Sequence, residues 1–483
     1  MEYPEQSLHD LFTDLHLSGL WHDGKVISDA ILLSPASQIL QAYHAAKAQG
    51  PVDLRAFFAR HFRTTQGAEV AYRTNPAHSP REHLAAIWPY LTRPPDDPME
   101  RSSRIALPNP YVVVGGRFQE AYYWDSYFTQ LGLLKSGQHA LVRDMLDNFG
   151  HAIATIGHIP NGFRSYFLTR SQPPFFAMMV QDYGRATGDL AAAYARWLPA
   201  MQAEYRYFMS TPHNHHGLAR YWDAANGPRV EMFGTDLRAA AHAASHPEYY
   251  RDLRAACESG WDFSSRWLTD PMDLHSVRTT RLWAIDLNCL LLRCAEILAE
   301  ASGDPTYRTA ANTRRAAITE RFFDATRGYF FDMVIADGTL TQNITAAGMF
   351  ALYAGAATQS QAERAAGFME QHLLRDGGLL TTDVTCGQQW DAPNGWAPLQ
   401  WIAWQGLRRY GLHALADTLR RRWLATCDTV FHATGKFVEK YNVLDPVAVS
   451  GGGEYALQDG FGWSNGVYLD MATDHDPVIP PAP

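Results

Sequence analysis

Apolar residues recur every three or four positions along most of this chain, a spacing that predicts helix after helix. In 281–302 they fall at Leu282, Ile285, Leu287, Leu291, Cys294, Ile297 and Leu298, and Gly303-Asp304-Pro305 ends the run. The same period predicts helices over 306–323 and near 128–157, 174–188, 189–209, 344–356, 360–374, 397–410 and 412–431. Strand-like alternation is scarce, with 328–334 a short exception. Helices of this kind pair antiparallel across short connections. Between the pairs lie long segments rich in Gly, Pro, Trp and charge, at 107–127, 157–174, 219–236, 258–267, 383–400 and 436–466. Long irregular segments in a compact helical protein are usually functional. A ring of paired helices would collect them at one end, in one pocket.

Composition narrows the class of function. The 483 residues are 46% apolar and 19% charged, enough to bury a large core. Aromatics reach 12%, and rings with a polar edge suit sugar faces as well as cores. The net charge of −9 comes without a basic stripe, which argues against nucleic acid as a partner. No run of about 18 apolar residues exists, which argues against a membrane span. The five cysteines are odd in number and none has C-x-x-C spacing, so neither a disulfide framework nor a zinc site is expected, and a reducing compartment fits best. The acidic N-terminus lacks a basic segment followed by an apolar run. The expectation is therefore a cytoplasmic protein, or a periplasmic one if an export signal has been removed. The sequon Asn343-Ile344-Thr345 matters only in an exported chain. The expected division is an N-terminal extension over 1–70 packing on a catalytic domain over 71–475, with a loose Pro-rich tail over 476–483.

Six segments carry candidate chemistry. In 115–127, Gly115 and Gly116 allow a tight turn, Arg117 offers a rigid fork of donors, Trp124 a stacking face and Asp125 an acceptor. In 158–174, Asn161, Arg170, Ser171 and Gln172 are polar groups between helices. Arg229 and Glu231 follow Arg220-Tyr221-Trp222-Asp223 and read equally well as a solvated pair. In 258–267, Gly260 precedes Asp262, which sits between two aromatics. Apolar surroundings raise a carboxyl's pKa, as a general acid requires, though a helix cap uses the same residue types. The segment 387–398 packs Gln389, Trp390, Asp391, Pro393, Gly395 and Trp396 into one turn, too dense for a linker. The last segment holds Glu439-Lys440-Tyr441-Asn442, then Gly451-Gly452-Gly453-Glu454-Tyr455, then glycines at 460, 462 and 466. No Lys-Ser or Lys-Thr follows the triple glycine, so it is no P-loop, and close backbone approach to a ligand is the better reading. Lys440 reads as solvated and without a role.

In the same order, the runs 115–127 and 389–398 resemble the two signature motifs of the trehalases, glycoside hydrolase family 37. The segments 160–174, 258–267, 439–441 and 451–455 match that family as well, and the likeness covers roughly 100–470. It implies an (α/α)6 toroid that hydrolyses α,α-trehalose with inversion and no cofactor. By the same likeness Asp262 matches the general acid and Glu439 the general base. Arg117, Trp124, Asp125, Asn161, Arg170, Ser171, Gln172, Arg229, Glu231, Gly260 and Glu454 match substrate-binding positions. Val114 replaces a usual proline, and Asn442 an aspartate that often follows the Glu-Lys-Tyr run. Inversion needs an acid on the glycosidic oxygen and a base on water at the opposite face, with carboxyls about 6.5–9.5 Å apart. The expected partner is a small sugar, not nucleic acid or membrane, and the expected state a monomer. Two other readings are another inverting α-glucosidase on the same toroid and a non-catalytic trehalose-binding protein. His213, His215, His216, His242 and His246 lack further ligands, so no metal is expected. No G-x-S-x-G elbow or G-x-G-x-x-G turn occurs.

Overall fold

The structure, a computed structural model, describes residues 4–64, 72, 74–241, 243, 245–448, 450–452, 454, 457–458 and 460–473. The expected tail over 476–483 and His242 lie outside the described residues.

Outer and inner helices alternate along the chain. They are α1 (Pro80–Leu91), α2 (Tyr123–Lys135), α3 (His139–Ile156), α4 (Phe176–Thr187), α5 (Leu190–Met209), α6 (Ile285–Ser302), α7 (Pro305–Arg321), α8 (Phe350–Tyr353), α9 (Gln359–His372), α10 (Ala397–Arg409), α11 (His413–Thr434) and α12 (Gly462–Thr473). The even-numbered helices touch in sequence and close on themselves, α12 packing against α2. The fold is an (α/α)6 toroid.

Sequence dictates which helix goes inside. In α2, α10 and α12 nearly every residue is buried, the mark of a helix surrounded by others. In the outer α3 the buried side chains form one stripe, Val142, Met145, Leu146, Phe149, Ala152 and Ile153. Side chains fix the outer starts. Ser79 with Glu82 makes a capping box on α1, and Thr358 with Gln361 one on α9. The periodic run expected over 128–157 breaks in two at Ser136, where α2 ends in a cluster of backbone bonds. The strand-like 328–334 yields only two-residue ladders, Tyr329–Phe330 with Phe323–Asp324 and Met333–Val334 with Leu282–Trp283.

One inner helix departs from the sequence reading. The segment 436–466 is expected to be irregular to its end, yet Gly462 opens α12 and Gly466 lies within it. A Cβ on Gly466 would stand 2.0 Å from the Phe128 carbonyl oxygen, and one on Gly132 would stand 2.6 Å from the Gly466 Cα. Two helix backbones meet here with no side chain between them. Gly466→Ala is expected to lower stability by about 1–3 kcal/mol through overpacking, read as a lower thermal midpoint. An unchanged midpoint would contradict this account of the seam.

The N-terminal part has its own apolar cluster, including Leu11, Phe12, Leu15, Ile39, Tyr43, Phe57 and Phe58. It packs against Val230 and Phe233, and the Ser28 hydroxyl donates to the Val230 carbonyl at 2.9 Å. Late in the chain, Asn394–Gly395 pairs antiparallel with Tyr441–Asn442, setting Asn394 opposite Asn442 and Gly395 opposite Tyr441. That ladder ties the 387–398 turn to the segment carrying Glu439.

Candidate active site

Four of the inner helices, α2, α4, α10 and α12, bring their N-terminal ends to one cavity. Trp124 and Asp125 enter it from the first turn of α2, Gln172 from just before α4, Trp396 from the cap of α10 and Trp463 from the first turn of α12. Loops supply the remaining groups: Arg117, Asn161, Arg170, Arg229, Glu231, Gly260, Asp262, Glu439 and Glu454 all line it. Segments far apart in sequence thus meet at one end of the ring. Trp390 and Trp396 stack with centroids 3.9 Å apart, and Trp124 and Trp463 lean on the pair. Gly260 is held at φ +77°, and a Cβ there would fall 2.6 Å from the Trp124 indole. Only glycine lets the chain turn so close beneath that ring.

Arginine–carboxylate pairs set the walls. Arg229 grips Asp236 at 2.6 Å and Glu454 at 2.9 Å, with its guanidinium 4.8 Å from the Phe263 ring centroid. Arg170 donates to Glu231 at 3.0 Å and to Asp223 at 3.3 Å. The Gln172 carbonyl oxygen accepts from the Trp124 backbone at 3.0 Å, and the Asn161 amide donates to the Cys257 carbonyl at 3.2 Å. Beneath the 115–127 loop, Glu120 pairs with Lys25 at 2.7 Å and with Arg164 at 3.3 Å, and accepts from the Tyr122 hydroxyl at 2.8 Å. Burial opposes this charge, but Lys25 and Arg164 outweigh it and hold Glu120 well below the usual carboxylate range.

Electrostatics separates the acids that line the cavity. Burial pushes Asp262 up to about 7, with the Glu454 charge adding to the rise and Arg229 and Arg170 opposing it. Asp125 is raised well above the carboxylate range, chiefly by burial and then by the charges of Glu439 and Asp262. Burial also disfavours the Glu231 charge, yet Arg170, Arg229 and Arg254 keep it below its ordinary value. Glu439 is 1% exposed and lies 3.3 Å from the Lys440 ammonium, and the Trp463 indole N–H donates to its backbone carbonyl at 2.9 Å. Burial thus favours the protonated form of Asp262 and Asp125, while arginines hold Glu231 ionised.

Several expectations are redrawn. Ser171 does not line the cavity: its hydroxyl donates to the Ile159 carbonyl at 2.6 Å and its backbone N–H donates to Glu258 at 3.0 Å. Arg229 and Glu231 are not a solvated pair, since each is bound to other buried or half-buried charges. Asp391 accepts from Ser265 N at 2.8 Å, Ser264 Oγ at 3.0 Å and Thr382 Oγ1 at 2.7 Å, so it clips the Asp262 loop to the 387–398 turn. Lys440 is 1% exposed, not solvated. Arg117 meets Asp23 of the N-terminal part at 2.6 Å, and neither Asp23 nor the cavity-lining Lys25 belongs to any motif. Nothing local in sequence marks them, because their partners lie near position 120. Lys440 does carry a signal, since an ammonium next to a buried carboxylate in an aromatic segment is more economically buried with it.

A model of the trehalase family matches residues 20–475. A periplasmic trehalase of Pseudomonas aeruginosa is 45% identical over 98% of this chain and 91% of its own. One of Escherichia coli is 43% identical over 97% and 86%. Among solved structures, the neutral trehalase of Saccharomyces cerevisiae is 28% identical with a TM-score of 0.67, covering 82% of this chain and 80% of that one. A mannosylglycerate hydrolase of glycoside hydrolase family 63 from Thermus thermophilus shares the fold, at 20% identity and a TM-score of 0.56 over 75% of this chain and 95% of that one. The bacterial relatives are named periplasmic trehalases, which overturns the expectation of a cytoplasmic protein. That expectation leaned on the acidic N-terminus and on unpaired cysteines. Cys257, Cys289, Cys294 and Cys427 are free and buried within helices, where packing shields a thiol whatever the compartment. The match over nearly the whole chain, with the motif residues gathered round one cavity, places this protein in the trehalase family.

Proposed function

We propose that this chain hydrolyses α,α-trehalose with inversion, Asp262 acting as general acid and Glu439 as general base. The observation that carries the reading is two buried carboxylates in one cavity with opposite surroundings. Asp262 is pushed up to about 7 by burial, while Glu439 is paired with a buried ammonium. Asp262 gives its proton to the glycosidic oxygen as the bond from that oxygen to the anomeric carbon breaks. Water attacks the opposite face of the same carbon and passes its proton to Glu439. Arg117, Trp124, Asp125, Asn161, Arg170, Gln172, Arg229, Glu231, Gly260 and Glu454 hold the two glucosyl units. Ser171 serves through its backbone, whose carbonyl accepts from the Asn161 amide at 3.4 Å.

The separate apolar cluster of the first 62 residues supports a division into an extension over 1–70 and a catalytic domain over 71–475. The test is proton NMR of trehalose during the first turnovers. One β-glucose and one α-glucose are expected to appear together before mutarotation. Two α-glucose molecules would rule out inversion.

A further inference from the structure

The proposed acid and base come from distant segments, yet a continuous polar chain joins them. The Gln389 amide N–H donates to the Asp262 carbonyl oxygen at 2.6 Å. The carbonyl oxygen of the same side chain accepts from the Lys440 ammonium at 2.8 Å. That ammonium stands 3.3 Å from the Glu439 carboxylate. Gln389 is 2% exposed and Lys440 1%. Both ends are anchored. Asp391 binds the Gln389 turn to Ser264 and Ser265, and the Asn394–Gly395 ladder binds it to Tyr441–Asn442. The Lys440 ammonium also lies 5.2 Å from the Trp396 ring centroid, over the stacked tryptophans.

We propose that Gln389 and Lys440 form a strut that fixes the offset between Asp262 and Glu439, making Lys440 a positioning residue that acts only through Glu439. The proposal rests on the roles assigned to those two carboxylates above. Inversion leaves room for one water between the carboxyls, so their spacing is part of the chemistry. An ammonium bound on one side to Glu439 and on the other to a fixed amide leaves that carboxylate one orientation. The strut runs beside the cavity and not across it: neither Gln389 nor Lys440 lines it, so neither is set to hold sugar.

The test is a double-mutant cycle on Lys440→Met and Glu439→Gln, measured with trehalose and with α-D-glucosyl fluoride, whose good leaving group keeps residual rates measurable. Lys440→Met is expected to lower kcat by about 100-fold, as a misplacement near 1 Å does, with KM little changed. The double variant is expected to be no slower than Glu439→Gln alone, because a residue acting through another adds nothing once that other is gone. Losses that multiply, or a Lys440→Met enzyme with near-normal kcat, overturn the strut. Near-normal turnover in Glu439→Gln itself overturns the assignment of the base, and the strut with it. If Lys440→Met does not fold, Gln389→Leu removes the middle of the strut while leaving the ion pair. It is expected to lower kcat without raising KM, and normal kcat there is equally fatal to the proposal.

Discussion

Replacing Asp262 with Asn is expected to lower kcat for trehalose by about 10²–10⁴-fold, the usual contribution of a positioned general acid. The change keeps the shape of the side chain and removes its proton. With α-D-glucosyl fluoride the loss should be far smaller, since fluoride departs without a proton and still needs the base. The pH profile gives a second reading. The wild-type Asp262 carboxyl is pushed up to about 7, so it is protonated below that pH and ionised above it. An acid works only while protonated, so kcat/KM is expected to fall as pH rises through about 7. In Asp262→Asn that alkaline limb should vanish. A variant that keeps the limb, or loses both substrates equally, would show that another group supplies the proton.

The second large effect concerns stability. Arg266 is fully buried, and its guanidinium donates to both oxygens of Asp286 at 2.7 and 2.8 Å and of Asp332 at 2.8 and 2.9 Å. It also lies 4.6 Å from the Trp261 ring and 4.1 Å from the Trp267 ring. One side chain thus joins the Asp262 loop to the start of α6 and to the loop carrying Asp332. Arg266→Met leaves two buried carboxylates without their cation. Removing one partner of a buried pair costs about 3–5 kcal/mol, and a drop of that order in urea unfolding is expected. Neutralising the acids as well, in Arg266→Met with Asp286→Asn and Asp332→Asn, is expected to recover part of it because no charge then stays stranded. If the single and triple variants unfold alike, the loss comes from packing on the tryptophans, not from charge.

Helices with a clear polar face were legible in the sequence, because a periodic stripe needs only local information. Thus the outer α5, α7, α9 and α11 lie close to where the spacing predicts them. The inner α12 was not legible: Gly462 and Gly466 read as loop residues, since their use depends on α2, more than three hundred positions earlier. The cavity-lining motif residues were legible through the ordered resemblance, and all of them except Ser171 reach the cavity. Asp23 and Lys25 were not. Their partners Arg117 and Glu120 are fixed by tertiary packing, and a lone acid or lysine in a polar stretch carries no signature of it. Lys440 was misread because lysine is rarely buried, and the carboxylate that lets it be buried was judged separately.

The glycine seam between α2 and α12 also governs when the molecule becomes an enzyme. Its two helices lie toward opposite ends of the described chain, so the ring closes through contacts of very long sequence separation, which form slowly. Trp124 stands on one side of the seam and Trp463 on the other, and both face the cavity. A chain that has folded its hairpins but not joined these two helices holds each half of that aromatic wall without the other. Glucose release on refolding is therefore expected only once these two helices have met.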